Sequence, residues 1–199
     1  AFRVDQFHRQ ANLDAYYHGT ALEMIEQTRG LIDINGFCDF VGTGGSFAGC
    51  TMRFKEEFGP DNIKCYILEP QGVCPLADKY DTTNKSVNTK EQSTSKSSHH
   101  VIQGGGYNMD DMTLIQQVIH KRYVDGYMQV SNEQATSVAR LLAKTEGIFG
   151  GFSAGANIHG AAEMIRKGLA TNVVAIVCDS GSKYFSANLL PPLDEEANP

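Results

Sequence analysis

Several things are missing from this chain of 199 residues, and each absence excludes a class of function. No apolar run approaches the roughly 20 residues that a membrane-spanning helix needs. Lysine and arginine total 17 against 23 acidic residues, so the net charge is −6, and no basic cluster offsets it. That balance argues against nucleic acid as a partner. The five cysteines, Cys38, Cys50, Cys65, Cys74 and Cys178, include no C-x-x-C pair, so buried reduced thiols in a cytoplasmic protein are expected rather than a disulfide framework. His99-His100 is the only histidine pair and has no cysteine or carboxylate at ligand spacing, so no metal site is expected. An initiator methionine and a targeting segment are also lacking, which suggests a chain cut from something longer.

What is present centres on Gly42-Thr43-Gly44-Gly45-Ser46. The stretch follows an apolar run, Phe37 to Val41, that reads as a buried strand, and precedes a helix-like segment from Phe47 to Glu57. A glycine-rich turn there presents backbone N–H groups at the positive end of a helix, a site for a phosphate, with Thr43 and Ser46 adding hydroxyls. Two alternatives stand beside this reading. A dinucleotide fingerprint needs a third glycine where Phe47 stands, although Glu69 ends the next apolar run about where a ribose-binding carboxylate belongs. The turn could also be merely tight.

The rest of the pattern is strand alternating with helix, which predicts an α/β fold, an open and mostly parallel sheet with helices on both faces. A helix is expected over 22–28, ended by Gly30, and a strand over 63–68. Residues 78–98, rich in Thr, Ser, Asn and Lys, read as an exposed or disordered insertion. A helix over 110–120 and a strand over 127–130 follow. Ser131 and Gln134 have capping-box spacing at the start of a helix that runs to Gly147. Ile148 and Phe149 open another strand-like run, then a small-residue helix extends to Gly168. Val173 to Cys178 reads as a strand buried on both faces. The acidic tail 191–199 reads as loose. Gln6, Gly42–Ser46, Gln103–Gly106 and Asp179–Gly181 fall where they can converge at the carboxyl ends of the strands, the usual binding edge of such sheets.

Five motifs in order carry a resemblance. Gln6-Phe7, then Asn12 and Gly19-Thr20-Ala21-Leu22-Glu23, resembles Q-F-x-N-P-A-N…T-T-G-P-E. The glycine loop, Ile102-Gln103-Gly104, Glu146-Gly147-Ile148 with Ser153 to Ala156, and Asp179 to Ser186 resemble the remaining four. Together they are similar to the carboxyl-terminal part of fold-type-II pyridoxal-phosphate enzymes, the cysteine synthase and cystathionine β-synthase family. The resemblance implies that Gly42, Thr43, Gly44, Gly45 and Ser46 hold the 5′-phosphate of pyridoxal 5′-phosphate. It implies that Ser180 faces the pyridine nitrogen, where a neutral hydroxyl makes a weaker electron sink than a carboxylate would. Gln6 would bind the substrate carboxylate and Gly104 would line the pocket. Asp179 reads as a turn former.

The same resemblance implies β-replacement on an activated serine, with sulfide giving cysteine. Cysteine desulfhydrase or cystathionine β-synthase chemistry, and a catalytically silent module, are the alternatives. It implies residues 1–40 as the end of a smaller substrate-side domain, 41–190 as the larger cofactor-binding domain, and a homodimer acting on O-acetylserine, serine or cysteine. Ala154 and Gly105 depart from the family pattern. Such enzymes hold the cofactor on a lysine as a Schiff base. That lysine, and an S-G-N-T-G loop, precede the matched part in the family, and neither motif is in this chain. The ten lysines present all read as solvated, so the catalytic amine is expected outside the residues given.

Overall fold

The computed structural model describes residues 4–82, 100–106, 112–187 and 189–190. A helical stretch opens it: α1 (Gln10–Ala15), a π-helical turn (Tyr16–Thr20) and α2 (Ala21–Thr28), with right-handed backbone angles at each junction. Then follow β1 (Gly36–Phe40), α3 (Gly45–Phe58), β2 (Lys64–Pro70), α4 (Pro75–Tyr80), α5 (Thr113–His120), β3 (Gly126–Val130), α6 (Asn132–Glu146), α7 (Phe152–Arg166) and β4 (Val173–Ala175). A short 3-10 helix, Gly181–Ala187, is the last of the described elements.

All strand pairings are parallel, in the order β3-β2-β1-β4. Parallel neighbours need crossovers, and the helices between them cover both faces. On one face Phe37 and Ile67 pack with Phe47, Phe54, Ile115 and Leu13. On the other, Cys38, Phe40 and Leu68 pack with Ala135, Phe152 and Met164 of α6 and α7. The alternation of Phe37 and Cys38 between the two clusters is the two-residue period of a strand. α1 and the π turn lie directly on α3, because a Cβ at Gly49 would overlap the Leu13 carbonyl oxygen. The capping box closes as its spacing suggested: Ser131 Oγ accepts from the Gln134 N–H at 3.2 Å, and Gln134 Oε1 accepts from the Ser131 N–H at 2.8 Å.

Four expectations need correction. Ile148 and Phe149 form no strand. α6 ends at Glu146 and α7 begins at Phe152, so the few residues between only pair locally, with a bridge from Gly150 to Ser180 and a bond from the Gly181 N–H to the Phe149 carbonyl at 2.9 Å. The run 173–178 is strand only to Ala175; that strand is half-buried, since it forms one edge of the described sheet, and Val177 and Cys178 beyond it are exposed. The insertion proposed for 78–98 begins inside a helix, as Asp78 to Tyr80 complete α4; residues 83–98 lie outside the described residues, as do the tail 191–199 and Asp110–Asp111 of the expected helix. Lys55 is not solvated. It is 2% exposed, and its Nζ donates to the Pro60 carbonyl (2.7 Å), the Ile63 carbonyl (2.7 Å) and Asp125 Oδ2 (2.6 Å). A cation in the last turn of α3 meets the negative helix end and a carboxylate together, a combination that lysine spacing alone does not reveal.

The early end of β4 has a visible cause. Cys38 faces Ala175 in the register of β1 and β4, so the next ladder bond would join the Phe40 N–H to the Ile176 carbonyl. The Asn157 side chain of α7 occupies that place. Its Oδ1 accepts from the Phe40 N–H at 2.7 Å, and its Nδ2 donates to the Ile176 carbonyl at 2.9 Å and to Asp39 Oδ1 at 2.9 Å. Asn157 is fully buried. Truncating it strands a backbone donor, a backbone acceptor and a carboxylate at once, each costing about 1–3 kcal/mol when unsatisfied. Asn157→Ala should therefore lower the unfolding free energy of the full-length protein by about 3 kcal/mol or more, read as a fall in the denaturant midpoint at unchanged slope. A loss below about 1 kcal/mol would show that water replaces the side chain and that the wedge is not what holds the strands.

Candidate active site

Beyond the wedge, β1 and β4 diverge. β2 lies on one side of β1 and β4 on the other, so the opening is the topological switch point of the sheet. A cavity of about 680 Å³ occupies it. The volume falls within the roughly 300–1,000 Å³ typical of small-molecule sites.

Gly42, Thr43 and Ser46 line this cavity where α3 begins. Gly44 takes φ +86°, a left-handed turn that glycine reaches without strain, and α3 starts from this turn with Ser46 of its first turn in the lining. Gln6, Gln103 and Gly104 line it from neighbouring loops. Asn12 links two of these segments: its Nδ2 donates to the Gln6 carbonyl at 2.7 Å and to Thr43 Oγ1 at 3.0 Å. Thr43 Oγ1 in turn accepts from the Gly45 N–H at 3.4 Å. Gly44 and Gly45 are both buried and are not part of the lining.

Ser180 stands beside the cavity rather than in its lining. Its Oγ lies 2.8 Å from Ser182 Oγ and accepts from the Ser182 N–H at 3.2 Å. The preceding residue, Asp179, does line the cavity, and its Oδ2 accepts from the Tyr184 hydroxyl at 2.7 Å and lies 3.4 Å from Lys183 Nζ. Sequence reasoning missed several lining residues: Tyr16 and Thr20 from the π turn, Asp39 and Phe40 from the end of β1, Ser153 of α7, and Cys178. Only Thr20 and Ser153, each inside a matched motif, carried a signal. A π turn, which re-aims side chains and recurs at functional sites, has no periodicity that a short sequence exposes.

Glu69 does not project toward the cavity as a ribose ligand would. It is buried, and its carboxylate caps α4 by accepting from the Leu76 and Ala77 N–H groups at 2.8 Å each. Burial still pushes its pKa up to about 7. Among the cysteines Cys178 is exposed and the other four are buried, and all are free. No cluster able to hold a metal ion occurs among the described residues. Nor is any helix of the described residues long and apolar enough to cross a membrane.

Asp39 and Phe40 give the cavity its particular character. Asp39 is fully buried on its floor, and its Oδ2 accepts from Ser46 Oγ at 2.5 Å. Burial pushes its pKa up to about 6, against the opposing pull of the Ser46 and Asn157 hydrogen bonds. The Phe40 ring fills the space beside Gly105, where an added Cβ would overlap the ring. That contact, together with the Val41 carbonyl oxygen that the same Cβ would overlap, explains why glycine stands at 105.

Fold and cavity together define a parallel α/β protein with a candidate ligand site at the switch point, where α3 begins. Residues 1–179 match the family described as pyridoxal-phosphate dependent enzyme, and the chain belongs to that family. It is 32% identical to a cysteine synthase of Dictyostelium discoideum over 191 residues, covering 94% of this chain and 47% of the relative. It is 31% identical to cysteine synthase B of Campylobacter jejuni, covering 95% of this chain and 54% of the relative. The solved structure of O-ureido-L-serine synthase superposes with a TM-score of 0.77 at 26% identity, covering 99% of this chain and 55% of that one. An O-acetylserine dependent cystathionine β-synthase from Helicobacter pylori superposes with a TM-score of 0.73 at 27% identity, covering 92% of this chain and 52% of that one. The chain thus spans about half the length of these relatives.

The Phe40–Gly105 contact is directly testable. Gly105→Ala should destabilise the full-length protein by about 1–3 kcal/mol through overpacking. In a Phe40→Ala background the same change should cost less but still destabilise, because the added Cβ also meets the Val41 carbonyl oxygen; a double-mutant cycle measures the part due to the ring. Equal costs in the two backgrounds would mean that the ring is not what restricts position 105.

Proposed function

We propose that the full-length protein is a pyridoxal-phosphate-dependent enzyme that replaces the side-chain leaving group of an activated serine with sulfide, giving cysteine. The observation that carries this reading is the convergence of Gln6, Thr43, Ser46 and Gly104 on one cavity at the N-terminus of α3. The residues fit the cofactor. The cavity has the volume for a small ligand, and the start of α3 offers N–H groups that no helical carbonyl satisfies, which suit a phosphate. When bound, pyridoxal phosphate withdraws electrons from an attached amino acid so that a group can leave its side chain.

In this reading the 42–46 loop and the first turn of α3 hold the phosphate, with Thr43 kept in place by Asn12. Ser180 serves the pyridine nitrogen as a neutral partner, reached from its position beside Asp179. Gln6 orients the substrate carboxylate, and Gly104, without a side chain, leaves room for the substrate against the backbone. The lysine that carries the cofactor is supplied from outside the residues given. Membership of the family and the cysteine synthases among the relatives support the choice of reaction. The four buried free thiols fit a reducing, cytoplasmic setting, and the family resemblance supports a homodimer.

A second reading joins serine or O-acetylserine to homocysteine. It is favoured by the similarity to an O-acetylserine dependent cystathionine β-synthase and to a Dictyostelium discoideum cystathionine β-synthase, 29% identical to this chain. The two readings separate in one assay of the full-length protein loaded with pyridoxal phosphate. Cysteine formation from O-acetylserine and sulfide, faster than cystathionine formation from homocysteine with either serine or O-acetylserine, is expected. The reverse ranking selects the second reading. A protein that binds the cofactor yet turns over none of these substrates, nor cysteine alone, is a silent module, and the proposal fails.

A further inference from the structure

One group in the cavity has no task in the function proposed above, and it has the wrong charge for a phosphate site. Asp39 lies on the cavity floor, on the strand that leads into the glycine loop, and its carboxylate already receives the Ser46 hydroxyl. If Asp39 is ionised, Ser46 points its hydrogen away from any anion at the start of α3, and a buried negative charge faces that anion directly.

The groups around Asp39 do not neutralise it. From α3 come Ser46 and Cys50; from α7, Asn157; from the π turn, Tyr16; from its own strand, Cys38; from the segment after β4, Cys178. Ile67 is its neighbour in β2. Tyr16 and the three cysteines are raised in pKa by burial and by the charge of Asp39, so they stay protonated and neutral. The cation that lines the cavity, Lys183, sits with Asp179 at 3.4 Å. None of the ion pairs among the described residues includes Asp39.

We propose that the cup at residues 42–46 accepts its anion only together with a proton, which Asp39 holds. The inference rests on the reading of this cavity as the phosphate end of the cofactor site. Protonation reverses one hydrogen bond. The Asp39 hydroxyl donates to Ser46 Oγ across the existing 2.5 Å contact, and the Ser46 hydrogen is released toward the anion. Asn157 Nδ2 continues to donate to Asp39 Oδ1, so the acid stays anchored in both states. One proton is taken from solvent for each anion bound, and no covalent bond changes.

The sign follows from linkage. Burial has already raised the pKa of Asp39 to about 6 in the free cavity, and a bound anion raises it further. Below about pH 6 the acid is already protonated and affinity is flat; above it, binding must take up a proton and affinity falls by about tenfold per pH unit until the pKa of the bound state is passed.

The experiment uses the full-length protein stripped of cofactor. Pyridoxal 5′-phosphate is titrated by calorimetry near pH 7.5 in two buffers of different ionisation enthalpy, which counts protons. Sulfate, whose charge does not change across this range, is the second probe, read by thermal stabilisation between about pH 5.5 and 8.5. Wild type should take up close to one proton more than Asp39→Asn. Its sulfate affinity should fall about tenfold per pH unit above about pH 6.5, while that of Asp39→Asn stays level, because the amide donates to Ser46 at every pH. Should Asp39→Asn fail to fold, the pH slope for sulfate on wild type decides alone. A level slope on wild type, or the same slope in both proteins, overturns the inference and leaves the cofactor reading standing. Absence of binding by either probe even at about pH 5.5 overturns both.

Discussion

A single carboxamide divides the sheet. Asn157, fully buried on α7, takes the place of the ladder bond that would join Phe40 to Ile176, and everything that makes the carboxyl edge a site depends on that substitution. A backbone N–H and a backbone carbonyl that would otherwise lie buried and unpaired are both satisfied, so the strands can part without the usual cost of an opened ladder. Parallel sheets reach such an opening wherever strand order reverses, but topology alone supplies only the location. The asparagine supplies a spacer with one acceptor and two donors, and the third of these contacts, to Asp39, binds the crevice floor to the helix behind it.

From that opening the rest of the site follows by local geometry. The strand ends, Gly44 turns the chain through a left-handed conformation, and α3 starts at the cavity, with Ser46 in its lining. Asn12 then holds Thr43 and the Gln6 backbone together, so the first helical stretch is part of the site and not only a flank. Gly49 lets that stretch lie directly on α3. The π turn completes the arrangement by delivering Tyr16 and Thr20 to the cavity from a helix whose regular period would place them differently.

Much of this was legible in the sequence, and the boundary between what was and was not is physical. The glycine loop, the capping box and the parallel α/β pattern depend on local chemistry, and each was readable from neighbours in the chain. β4 was misjudged because apolar content reports burial, while the strand ends where Asn157, 16 to 21 residues away along the chain, removes its hydrogen bonds. Phe149 was misjudged for a related reason: an apolar run does not reveal that the helices on either side leave no length for a crossover. Lys55 was misjudged because its partners, Ile63 and Asp125, converge only in the fold. Asp39 was passed over within the strand that announced the loop, since a carboxylate inside an apolar run signals nothing about its partner until Ser46 is brought back onto it.

The balance at Asp39 shows which effect governs the cup. Three hydrogen-bond donors, Ser46, Asn157 and the Phe40 backbone N–H, favour the ionised acid, and the start of α3 adds a partial positive charge of about half a unit. Burial opposes all of these and prevails, since the pKa is pushed up to about 6 from the ordinary 3.8, a difference of about 3 kcal/mol against the anion. A site in which desolvation already outweighs every local donor has little capacity left for a second negative charge. An incoming phosphate must therefore either displace the carboxylate's charge or be refused. Displacing the side chain itself would break the bond to Asn157 and with it the wedge that keeps the strands apart. Neutralising it in place breaks nothing and frees the Ser46 hydroxyl for the ligand. The same asparagine that opens the crevice thereby fixes how its floor can respond to charge.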